Sequence, residues 1–549
     1  MPSQKRKSVL ALSLALTLSL GALSACSGNN NGGNANSEAS STTNSQTNNA
    51  SKTEPSPPAD AKPVDISMWA ELNGNAAAVV SNLNEVAAVK EWGKRTNVNF
   101  TFNHPAAGSN DAFGVMLASG DLPDVIFQNW NWIPGGLPKM FTDGSVIKLN
   151  DLIDQYAPNL KKMLDDNPEV AKQLKADNGD IYAIPHLRAG EHGKYKTFSG
   201  LIIRQDWLDE LHLQKPETIA EWENVLKTFK EKKGVTPYTL SKDQIVGYND
   251  FLGAYGLNID FYVDNGKVKY GSIEPAFKDY LSTFKKWYDE GLIDHDFATN
   301  DSKTKDAIIT SGKAGAFFGY IGSSIGVYTP ALQQTEPNAK LEAVQFPVLN
   351  KGDEPSFVPR SWEWDGFGAA ISTSDKNPVE TIKALDYLYS PEGQLLKNFG
   401  IEGETYNMVN GEPVYTDLIL KNPDGLPIAQ AMAKYFVANY SFIGPDDDRF
   451  NDQFYQLDSQ KDAVKTFSQY ADNAMKVLMP PVSLTPEESD EVAKIMNDVT
   501  TYRNEMTIKI ALGAEPIDAF DKMVDQLKKM NIEKVIAIQQ AALDRYNSR

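Results

Sequence analysis

Apolar and polar residues alternate at Val64, Ile66 and Met68 and again at Val98, Phe100 and Phe102, and residues 83–96 between them read as a helix. The short apolar run Asp124-Val125-Ile126-Phe127, behind Gly120-Asp121-Leu122-Pro123, has the form of a strand buried on both faces in a parallel sheet. Further strands are predicted over 201–203, 314–318 and 367–371. Helices announce themselves by a cap with a carboxylate three residues on: Thr218 with Glu221, Asn377-Pro378 with Glu380, and Thr485-Pro486 with Glu488. Phe277, Leu281, Phe284 and Tyr288 repeat at helical spacing up to Gly291, and Val492, Ile495, Val499, Tyr502 and Met506 do so up to Gly513. The pattern is α/β with a largely helical C-terminal third, and it holds no internal repeat.

Before residue 64 the pattern changes kind. Lys5-Arg6-Lys7 precede an apolar run from Val9 to Ala22, followed by Leu23-Ser24-Ala25-Cys26, the layout of a secretory signal. The run is shorter than the roughly 20 apolar residues a membrane span needs. Cys26 is the only cysteine in the chain, and Leu-Ser-Ala-Cys resembles the lipobox of bacterial lipoproteins, in which the cysteine is lipidated and becomes the mature N-terminus. An ordinary signal with a chance cysteine is the alternative. Residues 27–63 are Asn, Ser, Thr, Gly and Ala ending in a proline cluster, with no aromatic residue before Trp69. Such a composition stays unfolded and would hold the body roughly 30–35 Å from a bilayer. The expected division is therefore a signal over 1–25, a tether over 26–63, and a folded remainder.

That remainder, about 485 residues, exceeds what one hydrophobic core serves, so two lobes are expected. The net charge of −19 becomes −22 once the three basic residues of the signal are removed, which argues against nucleic acid and anionic lipid as partners. With no second cysteine there is no disulfide.

Ala118-Ser119-Gly120-Asp121-Leu122-Pro123-Asp124-Val125 and Gly179-Asp180-Ile181-Tyr182-Ala183-Ile184-Pro185 resemble the N-lobe of extracellular solute-binding proteins of ABC sugar importers (family 1). Arg204-Gln205-Asp206-Trp207-Leu208 with Pro216 to Trp222, Gly312 to Phe317 and Ser390-Pro391-Glu392-Gly393 continue the likeness. Thr501-Tyr502 with Glu505 and Gly513 is similar to the long lipoprotein subgroup of Gram-positive bacteria. The resemblance implies a two-lobed periplasmic-binding-protein-like fold of the maltose-binding type with a central cleft. The first lobe is expected over 64–195 plus 360–405 and the second over 196–359 plus 406–549. It also implies a monomer that closes around its ligand and delivers it to ABC permease subunits.

Ligands of open α/β sheets bind beyond the carboxyl ends of strands. Those loops carry Trp69, Glu71 and Asn73; Gln128, Asn129, Trp130, Asn131 and Trp132; and Arg360, Trp362, Glu363, Trp364 and Asp365, so five of the nine tryptophans fall in three loops. Arg188 and Tyr320 are further candidates. A sugar offers apolar C–H faces to tryptophan and hydroxyls to amides and charges, so an oligosaccharide is the expected ligand. Packing is the competing role for each tryptophan, and Trp92, Trp207, Trp222 and Trp287, on predicted helices, are assigned to the core.

Catalysis is the weaker alternative. Glu363, Asp365 and Glu71 would be the acid/base candidates of a surface glycan-degrading enzyme, and a ligand sensor on the same fold is the other. The histidines have no zinc spacing. Asp446-Asp447-Asp448 with Asn451 and Asp452 lacks the glycine and glutamate of an EF-hand and reads as a solvated acidic turn rather than a calcium loop. No phosphate loop, nucleophile elbow or Cys/His pair is present, so no enzyme activity, cofactor or metal is expected. The expectation is a protein on the outer face of the cell membrane, held by a lipid on Cys26.

Overall fold

The computed structural model describes residues 62–105, 110–133, 135–188, 197–248, 250–438 and 440–549. Cys26, the signal and nearly all of the tether lie outside them. No helix among the described residues is long and apolar enough to cross a membrane.

Strands β1 (Val64–Trp69), β2 (Val98–Asn103), β3 (Val125–Asn129) and β4 (Ile184–Leu187) come first along the chain. Next are β5 (Ser199–Arg204), β6 (Thr236–Tyr238), the hairpin β7 (Phe261–Asp264) with β8 (Lys267–Tyr270), β9 (Ala314–Tyr320) and β10 (Leu341–Val344). Last come β11 (Trp364–Ile371), the hairpin β12 (Tyr406–Val409) with β13 (Glu412–Tyr415), and β14 (Gly444–Pro445). They assemble into a six-stranded sheet, β14-β4-β11-β3-β1-β2, and a four-stranded sheet, β10-β5-β9-β6. The chain thus leaves the first sheet after β4, builds the second, and returns to insert β11 between β3 and β4. This is the discontinuous, two-lobed arrangement that the resemblance implies.

Sequence and sheet agree where periodicity is strong. β1 and β2 pair in parallel from Val64↔Val98 to Trp69↔Asn103, and the apolar residues of β2 alternate inward. β5 and most of β9 are buried on both faces, as their uninterrupted apolar runs require. Between β1 and β2 the predicted helix breaks at Val86 into a short 3₁₀ turn, Leu83–Glu85, and the helix Ala87–Thr96, whose Trp92 stacks on Phe100 with centroids 3.9 Å apart.

The caps at Thr218 and Thr485 form reciprocal capping boxes with Glu221 and Glu488. Asn377 does not cap its helix; Asp375 takes the Asn377 N–H at 2.7 Å and the Thr381 hydroxyl at 2.7 Å instead. The C-terminal third is helical, with Pro486–Ala511, Ala519–Lys529 and Ile532–Ser548 packed together and against β8. Trp92, Trp207, Trp222 and Trp287 are all buried, as assigned.

Candidate functional site

β11 runs antiparallel to β3 and β4, which are themselves parallel, so its first residues lie at their carboxyl ends. Segment 360–365 is thereby brought beside Asn129–Trp132 and Arg188. The junction depends on a close approach. Gly366 has φ of 93°, and a Cβ there would meet the Asn131 and Asn129 side chains at 2.3 and 2.7 Å. Both amides donate to the Asp365 carbonyl, at 3.3 and 3.4 Å.

A groove of about 950 Å³ opens at this edge. One wall is Trp130 to Ile133 with Gly135 to Pro138, another is Gln173 to Ala176, and a third is Arg360 to Trp362 with Trp364 and Asp365. The lining also includes Asp260, Phe261, residues 478–484, and Met496, Asn497, Thr500 and Thr501 of the helix Pro486–Ala511.

Within the aromatic wall the tryptophans differ. Trp130 is 3% exposed, its indole N–H given to the Gly368 carbonyl at 2.9 Å, whereas Trp132, two residues on in a 3₁₀ turn, is 57% exposed and meets Phe367 edge-on. Trp362 donates to the Met479 carbonyl at 2.9 Å and Trp364 to the Phe367 carbonyl at 3.0 Å. Both rings are fixed by a hydrogen bond at one end, but Trp364 is buried in the core, and of the two only Trp362 is partly exposed where it lines the groove.

The other candidates divide. Trp69 packs edge-on against Phe113, Asn73 caps the turn Gly74–Ala77 by accepting from the Ala76 N–H, and Glu71 is exposed in the same loop; none of the three lines the groove. Glu363 takes the Gln173 side-chain N–H at 2.7 Å, while the same amide's oxygen accepts from the Trp364 N–H at 3.0 Å. Asn129 caps the 3₁₀ turn. Tyr320, at the carboxyl end of β9, is exposed, and its hydroxyl is close enough to add to the field at Arg188.

Arg188 opens a chain of charges that sequence reasoning did not find. Its guanidinium donates to Asp365 at 2.6 Å and to Ser441 at 3.2 Å. Asp365 faces His186 Nδ1 at 3.3 Å, His186 Nε2 faces Asp446 at 3.2 Å, and Asp446 accepts from Lys397 at 2.9 Å. Burial opposes the imidazolium, but Asp446 and Asp365 outweigh it and raise the His186 pKa above the ordinary 6.5. Burial likewise opposes ionised Asp446, yet Lys397, His186 and Arg188 hold it below the usual carboxylate range, and His186 and Arg188 do the same for Asp365. For Lys397 burial prevails and its pKa is lowered.

Asp446 is therefore not in a solvated turn, and Asp447 is occupied by Arg449 at 2.6 Å. Burial of Asp446 between two cations overturns that expectation. Among the described residues no cluster of three or more His, Cys, Asp or Glu fit to hold a metal occurs. The pairing of Asp365 also removes it from acid/base work, because a carboxylate held ionised by two cations does not donate a proton near neutrality.

Residues 77–395 match the family described as bacterial extracellular solute-binding protein. The fructooligosaccharide ABC transporter substrate-binding protein FusA of Streptococcus pneumoniae serotype 4 is 25% identical over 501 residues, covering 85% of this chain and 88% of that one. The polygalacturonan/rhamnogalacturonan-binding protein YtcQ of Bacillus subtilis is 25% identical over 470 residues, 82% and 86% of the two chains. A crystal structure of the alginate-binding protein AlgQ2 without calcium ion superposes with a TM-score of 0.74 at 29% identity, over 88% of this chain and 98% of its own. These relatives are binding proteins rather than enzymes. The chain belongs to the bacterial extracellular solute-binding protein family.

Proposed function

We propose that the protein captures an oligosaccharide in the tryptophan-walled groove and delivers it, unaltered, to an ABC permease, while a lipid on Cys26 holds it at the outer face of the cell membrane. The observation that carries the ligand class is the wall itself. The rings of Trp132 and Trp362 line the groove with the amides of Asn131, Asn497 and Gln539, apolar surface for sugar rings beside donors and acceptors for hydroxyls. The names of FusA, YtcQ and AlgQ2 all refer to oligomeric or polymeric sugars, which supports the same class. The lipoprotein LipO of Bacillus subtilis, 27% identical over 369 residues, supports the anchor.

The lobes in this reading are 64–195 plus 360–405 and 196–359 plus 406–549, with β14 reaching back to the edge of the first sheet. Arg188, Tyr320 and Arg360 are polar ligand contacts in this reading, and Arg360 lines the groove.

The test is tryptophan emission and thermal melting against kestose, oligogalacturonides and alginate oligomers. One of these should raise the melting temperature, shift the emission and be recovered unchanged. Trp132→Ala should then weaken its binding about tenfold, the loss of one stacking face. Cleavage of the glycan would overturn the binding assignment, and silence across the panel would remove the oligosaccharide reading.

A further inference from the structure

The last helix, Ile532–Ser548, is packed by Val535, Leu543 and Tyr546 and by Gln540, whose side chain accepts the Val268 N–H of β8 at 2.9 Å. Its final turn meets residues of the segments 172–177 and 483–488. The Arg545 guanidinium grips Glu488 with two nitrogens, at 3.0 and 2.5 Å, donates to the Ser483 carbonyl at 3.2 Å, and pairs through Nε with Asp177. Arg549 meets the second oxygen of Asp177 at 3.0 Å and donates to the Lys175 carbonyl. Lys172 lies 4.7 Å above the Tyr546 ring.

These contacts matter because of where their ends sit. Ser483 belongs to one groove wall, and Glu488 starts the helix that continues it. Asp177 directly follows Lys175 and Ala176, which also line the groove, on the same helix-and-turn segment as Gln173. Gln173 in turn holds both Glu363 and the Trp364 backbone. One arginine thus joins the 483–488 segment to the 175–177 segment, which Gln173 ties to the aromatic segment, in parallel with the Trp362–Met479 hydrogen bond at 2.9 Å and the Lys139–Asp490 pair at 3.1 Å.

We propose that Arg545, with Asp177 and Glu488, is a strap that sets the width of the groove in the ligand-free protein, Arg545 and Asp177 acting as positioning residues for the aromatic wall. Two anionic anchors on one fork make the geometry bidentate and directional, so lysine does not replace it. That the width serves ligand capture rests on the proposed function; the strap itself does not.

The experiment is a spin-label distance measurement without ligand. Labels go at Gln155→Cys and Asp279→Cys, both exposed on helices, one in each expected lobe, in the chain carrying Cys26→Ser so that no other thiol is present. The parent should give one narrow distribution, and Asp177→Asn and Arg545→Lys should each broaden it toward longer distances. The far-ultraviolet dichroism of each variant should stay unchanged, since Asp177 is partly exposed and Arg545→Lys keeps the charge. Distributions identical to the parent in both variants would overturn the strap. Because no ligand enters, a failed oligosaccharide screen leaves this result standing, and the converse also holds.

Discussion

Asp446 and Asp250 are both carboxylates withdrawn from water, with 13% of the side chain exposed in the first case and 5% of the residue in the second, yet their pKa values are moved in opposite directions. Asp446, beside the first sheet, touches the Lys397 ammonium at 2.9 Å and the His186 ring at 3.2 Å and stays ionised. Asp250, near the second sheet, accepts from the Tyr238 hydroxyl at 2.5 Å and the Gln244 amide at 2.8 Å, both neutral. The nearby Lys305 is bonded instead to the Gln244 oxygen at 3.1 Å. Burial pushes the Asp250 pKa up to about 6 and lowers that of Lys305. Burial alone does not set the direction of the shift; a cation in direct contact reverses it, because only its field offsets the lost hydration.

The comparison breaks most visibly at Asp446. Asp446→Ala leaves Lys397, fully buried, with only the Gly444 carbonyl, at 2.8 Å, as a hydrogen-bond partner among the described residues. Urea unfolding at pH 7 should show a loss of about 3–5 kcal/mol, the cost of stranding one partner of a buried pair. A loss under about 1 kcal/mol would mean that water reaches Lys397 and that the chain of charges is not sealed.

Asp250 sharpens the other half. Its folded pKa, about 6, lies above the ordinary 3.8, so it contributes stability fully present below 3.8 and lost as pH rises through about 6. That difference in pKa between the folded and unfolded chain costs the ionised form about 3 kcal/mol above pH 6. Asp250→Asn removes that cost. It returns part of it, because among the described residues Asp250 Oδ1 has no hydrogen-bond partner and an amide placed there leaves an N–H unmet. The variant should be more stable than the parent by about 1–2 kcal/mol at pH 7.5, with the advantage gone at pH 4. An advantage that does not change with pH would show that Asp250 is not the group titrating.

What could be read from the chain follows the range of the forces involved. β1, β2 and the capping boxes at Thr218 and Thr485 depend on residues two to four apart, so spacing finds them. Trp130 and Trp132 show the limit. In the sequence they are candidates on equal terms, but a 3₁₀ turn sends one ring inward and the next outward, and only the backbone distinguishes them. The groove wall at 478–484 has no aromatic signal, only the prolines Pro480 and Pro481 between helices. The charge chain is out of reach altogether, since His186 meets a partner 260 residues away and Lys397 comes from a third element that reads as an ordinary amphipathic helix. An acidic run at 446–448 looks solvated when the cations that bury it are distant in sequence.

The smallest expected effect tests the centre of the first region. His186 is fully buried, and its folded pKa is raised above 6.5 by Asp446 and Asp365 against the opposing effect of burial. A raised value means stabilisation that is complete below pH 6.5 and lost as pH climbs through the folded value. His186→Gln keeps one donor, replaces the other with an acceptor facing a carboxylate, and cannot be charged. The stability difference between parent and variant should therefore be largest near pH 6, on the order of 1–3 kcal/mol for a charged hydrogen bond, and should shrink steadily toward pH 9. Asp250 titrates in the same direction but is present in both proteins, so it cancels in the difference. A gap of constant size across that range would mean that the imidazole is neutral throughout, and that Lys397 and Arg188 alone keep the two carboxylates ionised.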